Sequence, residues 1–388
     1  MTKNSKSTGI ILGVAFVWFT THFGGGFASG AQIYSYFVRY GIWCLVMPVL
    51  AMLYNTVFFA YSLRFARKYE VYDYRSYNNA FYGKFAPVFS NLFEILYLCV
   101  MCVAPAVAFA TGGATLSELT GLPYLMCTFL IGVFIFLVAV FGTDLVRKVA
   151  TLLSVCIIAG LLVVYLPNII ANFSGVEVAV KSMTAADLSL GDALYSAFLY
   201  GTFQLSNIAV FVQHARSFEK PGDAVKSMSV GFVVNALMML MVVIGLMTVY
   251  TDPGAAGQSI PTLFMVQNGV GAAFMTPLIS ILIILGAVST AVNMVAAMVK
   301  RICKENGTEQ TAGGLRKEAE KKRYRISGKE AAAALVCCLV DFGIAQFGLL
   351  TLIQKAYSAI AYLAIPVILI PYVIRMLATR FDTRSDVR

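Results

Sequence analysis

The run Thr20-Thr21-His22-Phe23-Gly24-Gly25-Gly26-Phe27-Ala28-Ser29-Gly30-Ala31-Gln32 lies in the middle of an apolar stretch reaching from about Gly9 to Phe37. Four glycines fall within the seven positions Gly24 to Gly30. Each weakens a helix by about 1 kcal/mol relative to alanine. A segment of this kind opens easily at its centre. Once open, its amides form the positive end of a half-helix, suited to a carboxylate, and its freed carbonyls suit a small cation. The competing reading is close helix packing, because Gly26 and Gly30 also make a pair of small residues four apart.

The rest of the chain places that stretch in a membrane. Its 388 residues are 59% hydrophobic and only 12% charged, and the mean hydropathy is +0.80. A soluble domain carries roughly a quarter charged residues. Residues 122–142, 149–171 and 228–250 are almost free of formal charge, and each has the roughly twenty residues that cross about 30 Å of hydrocarbon. The pattern predicts an all-α integral membrane protein with about ten spans, at 9–38, 42–66, 87–117, 122–142, 145–167, 191–215, 226–250, 273–301, 330–346 and 348–377. The first stretch is too long for a signal-peptide core and reads as a span.

All but three of the 29 Lys and Arg residues fall on one side of that arrangement, the exceptions being Arg39, Lys181 and Lys355. The positive-inside rule then puts both termini in the cytoplasm of a bacterial inner-membrane protein. The net charge of +10 is thereby topological and points away from nucleic acid. The basic segment 302–328 reads as a solvated loop touching anionic lipid. Residues 67–86, rich in tyrosine, read as an interfacial segment. Residues 168–190 read as an external loop, and 251–272 as a second one with a short helix near Ile260–Val266 plugging a vestibule. Cys99 and Cys102 form a CxxC on an apolar helix, where soft packing is the better reading.

Ten spans divide into two repeats of five, 9–167 and 191–377, and an odd number per repeat inverts one against the other. The first span of each is interrupted. In the second repeat Tyr200-Gly201-Thr202-Phe203-Gln204-Leu205-Ser206-Asn207 brings polar side chains to mid-membrane around one glycine. Interruptions at matching places in inverted halves point to a transport site. In the eighth span, Ser289 and Thr290 follow Gly286 and either complete an oxygen shell for an ion or bond back to their own helix.

These features together resemble the leucine-transporter fold of the amino acid–polyamine–organocation superfamily. More closely, Gly24 to Gly30 is similar to the GAGFASG signature of YkvI-type bacterial membrane proteins. That family's pattern continues Gly-Gln-Glu, whereas Gly30-Ala31-Gln32 lacks the acid, so no role of that acid carries over. The resemblance implies a sodium site made by the carbonyls of Thr20, Phe23 and Gly286 with the hydroxyls of Ser289 and Thr290. Proton-coupled relatives place a lysine in mid-span 5, where this chain has only Arg147 and Lys148 at the start, so sodium is favoured. The substrate would lie against Gly24, Gly25, Gly26, Phe27, Ala28 and Ser29, with Tyr97 and Met101 of span 3 and Tyr200, Gly201, Thr202, Phe203, Gln204 and Asn207 of span 6.

Charged residues inside spans are costly and often functional. Asp341 and Lys355 are candidates for a pair or an outer gate. Glu94, within reach of Arg216 or His214, is a candidate inner gate, and Arg39 ends the first span. His22 is either a proton carrier or a hydrogen-bonded helix residue. An enzyme is disfavoured, since two histidines and no nucleophile motif offer no convergent catalytic set, and a channel lacks charged rings or repeated pore loops. The expectation is a sodium-coupled symporter of a neutral amino acid or similar small polar metabolite, without other cofactors. A proton-coupled transporter, a uniporter or a receptor that binds without transporting are the alternatives, and the sequence leaves monomer and homodimer equally open.

Overall fold

With no water to satisfy backbone groups in hydrocarbon, the chain closes its hydrogen bonds within helices, and no strand occurs among the described residues. The computed structural model describes residues 3–141, 143–255, 257–303 and 328–382. The expected basic loop, 302–328, lies almost wholly outside the described residues, as do the side chains of Arg147 and Lys148. In chain order the helices are α1 (Lys3–His22), α2 (Gly25–Ala28), α3 (Ala31–Tyr36), α4 (Met47–Lys68), α5 (Tyr74–Tyr82) and α6 (Ala86–Thr120). Then come α7 (Tyr124–Phe141), α8 (Thr143–Ala171), α9 (Phe173–Ala185), α10 (Leu190–Gln204), α11 (Ile208–Phe211) and α12 (Gly222–Met247). The last are α13 (Pro261–Gln267), α14 (Ala272–Ile302), α15 (Gly328–Ala345) and α16 (Leu349–Ala378).

Six of these are long and apolar enough to cross a membrane, or up to seven if the bent pair α8–α9 is one crossing. The expected spans at 9–38 and 191–215 are interrupted, the first after the 20-residue α1 and the second after the 15-residue α10. The one at 330–346 is the continuous helix α15, which carries Lys329, Glu330 and Asp341 within 18 residues.

Helix α6 is the axle of the fold, packing along α14, α7 and α15 and against α2. Its approach to α7 depends on glycines: a Cβ at Gly113 would sit 2.2 Å from Thr128 Oγ1, and one at Gly132 would sit 2.9 Å from Phe109. Side chains absent at these points let the two backbones come close, as in other membrane helix pairs.

Two connections differ from the sequence expectation. The segment read as an external loop at 168–190 contains helix α9, which leaves α8 at 76°. The bend falls at Asn172, whose backbone is outside the helical region (φ −110°, ψ 30°). The tyrosine-rich segment read as interfacial is buried on one side. Asp73 caps α5 by accepting from the Ser76 amide at 2.8 Å, and Tyr77, Phe81 and Tyr82 are buried. Tyr372 of α16 donates to the Tyr77 hydroxyl at 2.9 Å, and Tyr82 to the Val367 carbonyl at 2.7 Å. The segment around 260–266 does form a short helix, α13, started by Pro261 in its first turn, where a missing N–H costs nothing.

Candidate functional site

The glycine run opens the first helix where the propensities said it would. Helix α1 stops at His22, the Gly24 amide turns back to the His22 carbonyl at 3.0 Å, and Gly24 is extended (φ −92°, ψ −177°). The amides of Phe27 and Ala28 then both donate to the Gly24 carbonyl, at 3.1 and 3.0 Å. Those two amides are therefore engaged in closing α2. Only Gly25 and Gly26, which begin it, are in the position that lacks an intrahelical acceptor. Gly30 (φ +76°) sets the chain into α3.

The second interruption is milder. Helix α10 tightens into a 3₁₀ turn at Leu205–Asn207 and resumes as α11, with helical dihedrals throughout. One glycine is too few to open it, and Gly201 serves packing, since a Cβ there would lie 2.6 Å from the Tyr54 ring.

A cavity of about 80 Å³ lies between the two interruptions. Gly24, Gly25 and Gly26 border it from α1–α2, and Phe203, Gln204 and Asn207 from α10–α11. The expected site residues Phe27, Ala28 and Ser29 do not; Phe27 is buried edge-on against the His22 ring at 5.2 Å, and Ser29 Oγ donates to the Gly26 carbonyl at 3.0 Å. Tyr97 and Met101 also lie outside it. Tyr97 is about a turn too far toward the Ala86 end of α6, and Met101 lies at the right height but meets Arg301, its sulfur 3.4 Å from the guanidinium; the cavity meets Val100, Ala104, Val107 and Ala108 instead. Tyr200, Gly201 and Thr202 do not border it either, Thr202 bonding Tyr54 at 3.2 Å.

Tyr200 completes a buried network that joins three helices. The Asn235 side-chain amide on α12 donates to the Gly231 carbonyl at 2.8 Å, leaving its oxygen to accept from His22 Nδ1 at 2.7 Å. A neutral imidazole then presents Nε2 as an acceptor, and the Tyr200 hydroxyl donates to it. His22 is thus a hydrogen-bonded helix residue that also borders the cavity. Nothing in the sequence singles out Asn235, one amide in a long apolar helix. Tyr357 and Ile360 of α16 were likewise missed; they close the cavity opposite the breaks.

All five expected sodium ligands, Thr20, Phe23, Gly286, Ser289 and Thr290, border one cavity of about 290 Å³ between α1 and α14. Thr290 Oγ1 donates to the Gly286 carbonyl at 3.0 Å, the back-bonding that hydroxyls in helices usually make. A donated proton leaves the oxygen's lone pairs available. Thr21, Thr290 and Met294 border both cavities, so the two adjoin.

The charged residues fall out differently from expectation. Glu94 pairs with Arg301 of α14, not with Arg216 or His214, and also accepts from the Tyr74 hydroxyl. Arg301 lies over the Tyr74 and Tyr97 rings at 5.1 and 5.5 Å, while Arg216 lies over Tyr72 at 5.3 Å. Asp341 is buried and Lys355 exposed, and no ion pair within 4.0 Å joins them among the described residues. Arg39 is exposed beside Tyr40.

With this geometry, the fold can be compared with known ones. The chain is similar to crystal structures of the manganese transporter of Eremococcus coleocola. One, a histidine-to-alanine variant, gives a TM-score of 0.51 at 16% identity, covering 97% of this chain and 79% of that one. A glutamate-to-glutamine variant gives 0.50 at 15% identity, with the same coverage. At this level of identity the likeness is one of fold, shared with a membrane transporter. No family model matches the sequence, and no curated protein does.

Proposed function

We propose that the chain is a secondary transporter, a sodium-coupled symporter of a small neutral polar solute such as a neutral amino acid. It would cross a bacterial inner membrane ten times, as two inverted repeats of five with both termini inside. The observation that carries the reading is the meeting of both interrupted helices with α6, α14 and α16 around one cavity that no charged side chain borders. Such an arrangement suits a solute without net charge. Transition-metal cargo is less well served. Manganese takes carboxylate, carbonyl and water oxygens, and the cavity offers carboxamides, hydroxyls and one imidazole already bonded on both nitrogens.

The sodium reading is supported by five oxygen-bearing candidates converging on the adjoining cavity. The cytoplasmic assignment is supported by Arg67, Lys68, Arg216, Arg301 and Arg375 gathering around α5 at one end of the helices. Uptake of labelled neutral amino acids into liposomes holding the purified protein, driven by an inward sodium gradient, tests the proposal. Accumulation that collapses without the gradient is expected. Equal uptake with and without sodium favours proton coupling or uniport. Binding without uptake makes the protein a receptor.

A further inference from the structure

Gln32 is 4% exposed, yet its carboxamide makes no hydrogen bond to any described residue. It stands on the first turn of α3, just past the break, and borders the small cavity. Its oxygen lies over α2, 3.3 Å from where a Cβ on Gly26 would be. The other buried polar side chains around the cavity have partners. His22 is bonded on both nitrogens, Gln204 Oε1 accepts from Asn207 at 2.6 Å, and Ser206 Oγ donates to the Phe203 carbonyl at 2.7 Å. The Gln32 carboxamide opens onto the cavity, so its partner is expected to arrive from there.

The opposite wall limits what can arrive. Phe203 and Tyr357 stack face to face, centroids 4.6 Å apart and 14° from parallel. Ile360 lies one turn beyond Tyr357 on the same helix and also borders the cavity. The cavity of about 80 Å³ is roughly half the ~150 Å³ of an apolar core cavity that holds benzene. Glycine or alanine is of that order, whereas leucine exceeds it.

We propose that Gln32 is the substrate-recognition residue, its carboxamide giving a donor and an acceptor to a neutral solute no larger than about alanine, with the Phe203–Tyr357 stack setting that ceiling. Neutrality and size thus come from separate parts of one cavity. A carboxamide pairs a donor and an acceptor without adding charge, and the aromatic wall excludes a longer side chain by volume. This inference rests on the reading of the chain as a carrier of small neutral solutes.

The test is equilibrium binding of glycine, alanine and leucine to the purified full chain in sodium buffer, for the native protein and for Gln32→Leu, Gln32→Asn and Tyr357→Ala. Glycine and alanine are expected to bind the native protein at least tenfold more tightly than leucine. Gln32→Leu should weaken glycine about tenfold, the effect of one well-made hydrogen bond, with Gln32→Asn between the two. Tyr357→Ala should admit leucine while keeping glycine, a gain that a merely damaged protein would not show. Leucine binding the native protein as tightly as glycine, or Gln32→Leu binding as the native protein does, overturns the inference while leaving the transport reading intact. If none of the three amino acids binds the native protein, the amino-acid reading itself falls, and the inference with it.

Discussion

Gly24 and Gly25 are neighbours in sequence, and the structure gives them opposite tolerances. A Cβ at Gly25 would meet Ala287 Cβ, Thr111 Cβ and Thr111 Oγ1, all at 3.1 Å. Helix α2 is wedged there between α14 and α6. Neither neighbour can turn aside: alanine has no rotamer to change, and the Thr111 hydroxyl is tied to the Val107 carbonyl at 2.7 Å. Relief requires the helices to part by a few tenths of an ångström, and overpacking of this kind costs typically 1–3 kcal/mol. At Gly24 the nearest atom to a new Cβ is Thr290 Oγ1 at 3.7 Å, ordinary contact, and φ is −92°. Gly25→Ala is therefore expected to lower the melting temperature by a few degrees, on the order set by a loss of 1–3 kcal/mol in a chain of this length, and to weaken solute binding by displacing α2. Gly24→Ala should leave the melting temperature close to native. Thermal unfolding of the two purified variants in detergent, with and without alanine, reads both effects. Equal damage in the two variants would refute the packing argument and return the glycines to a role in flexibility alone. Native behaviour of Gly25→Ala would refute it too.

Further outcomes are expected elsewhere. Ser289→Ala combined with Thr290→Ala removes two of five candidate sodium oxygens and should abolish sodium-dependent uptake; unchanged sodium dependence would sink that site. Gly30→Ala combines a left-handed backbone (φ +76°) with a Cβ 2.6 Å from Thr262 Oγ1, and should be more damaging than Gly25→Ala in the same melting assay. Glu94→Gln leaves Arg301 without its partner in a site about a quarter exposed; a loss of about 2 kcal/mol is expected, below the 3–5 of a fully buried pair. A double-mutant cycle with Arg301→Gln should recover part of it, and additive losses would argue against a direct pair. Asn235→Leu should free His22 Nδ1 and lower stability by about 1–3 kcal/mol, measured by denaturant unfolding.

What the sequence could and could not disclose follows from the range of each interaction. The break at Gly24–Gly26 was legible because helix propensity is local, and so was α13, announced by Pro261. The convergence of Ser289 and Thr290 with Thr20 and Phe23 came through the family resemblance, not through spacing. The partner of Glu94 was not legible, because Arg301 is 207 residues away and only the packing of α6 on α14 decides it. Tyr97 missed the cavity by about one turn along α6 for a similar reason. Periodicity identifies the face of a helix but not the height at which another helix crosses it. Helix α9 was hidden by a composition that reads as loop, its buried face reduced to Val176, Ala179 and Met183.

One contact ties α13 to the break. The Thr262 amide at the start of α13 donates to the Ser29 carbonyl at 3.0 Å, and the Tyr165 hydroxyl of α8 lies 2.7 Å from the Thr262 hydroxyl. Any motion that swings the segment after the glycines away from α8 must stretch this three-way knot or carry α13 along with it. The Thr262 amide is therefore a natural reporter. Its rate of exchange with deuterium should rise whenever α3 and α13 part and fall when they are held together, reporting that motion at a single backbone hydrogen.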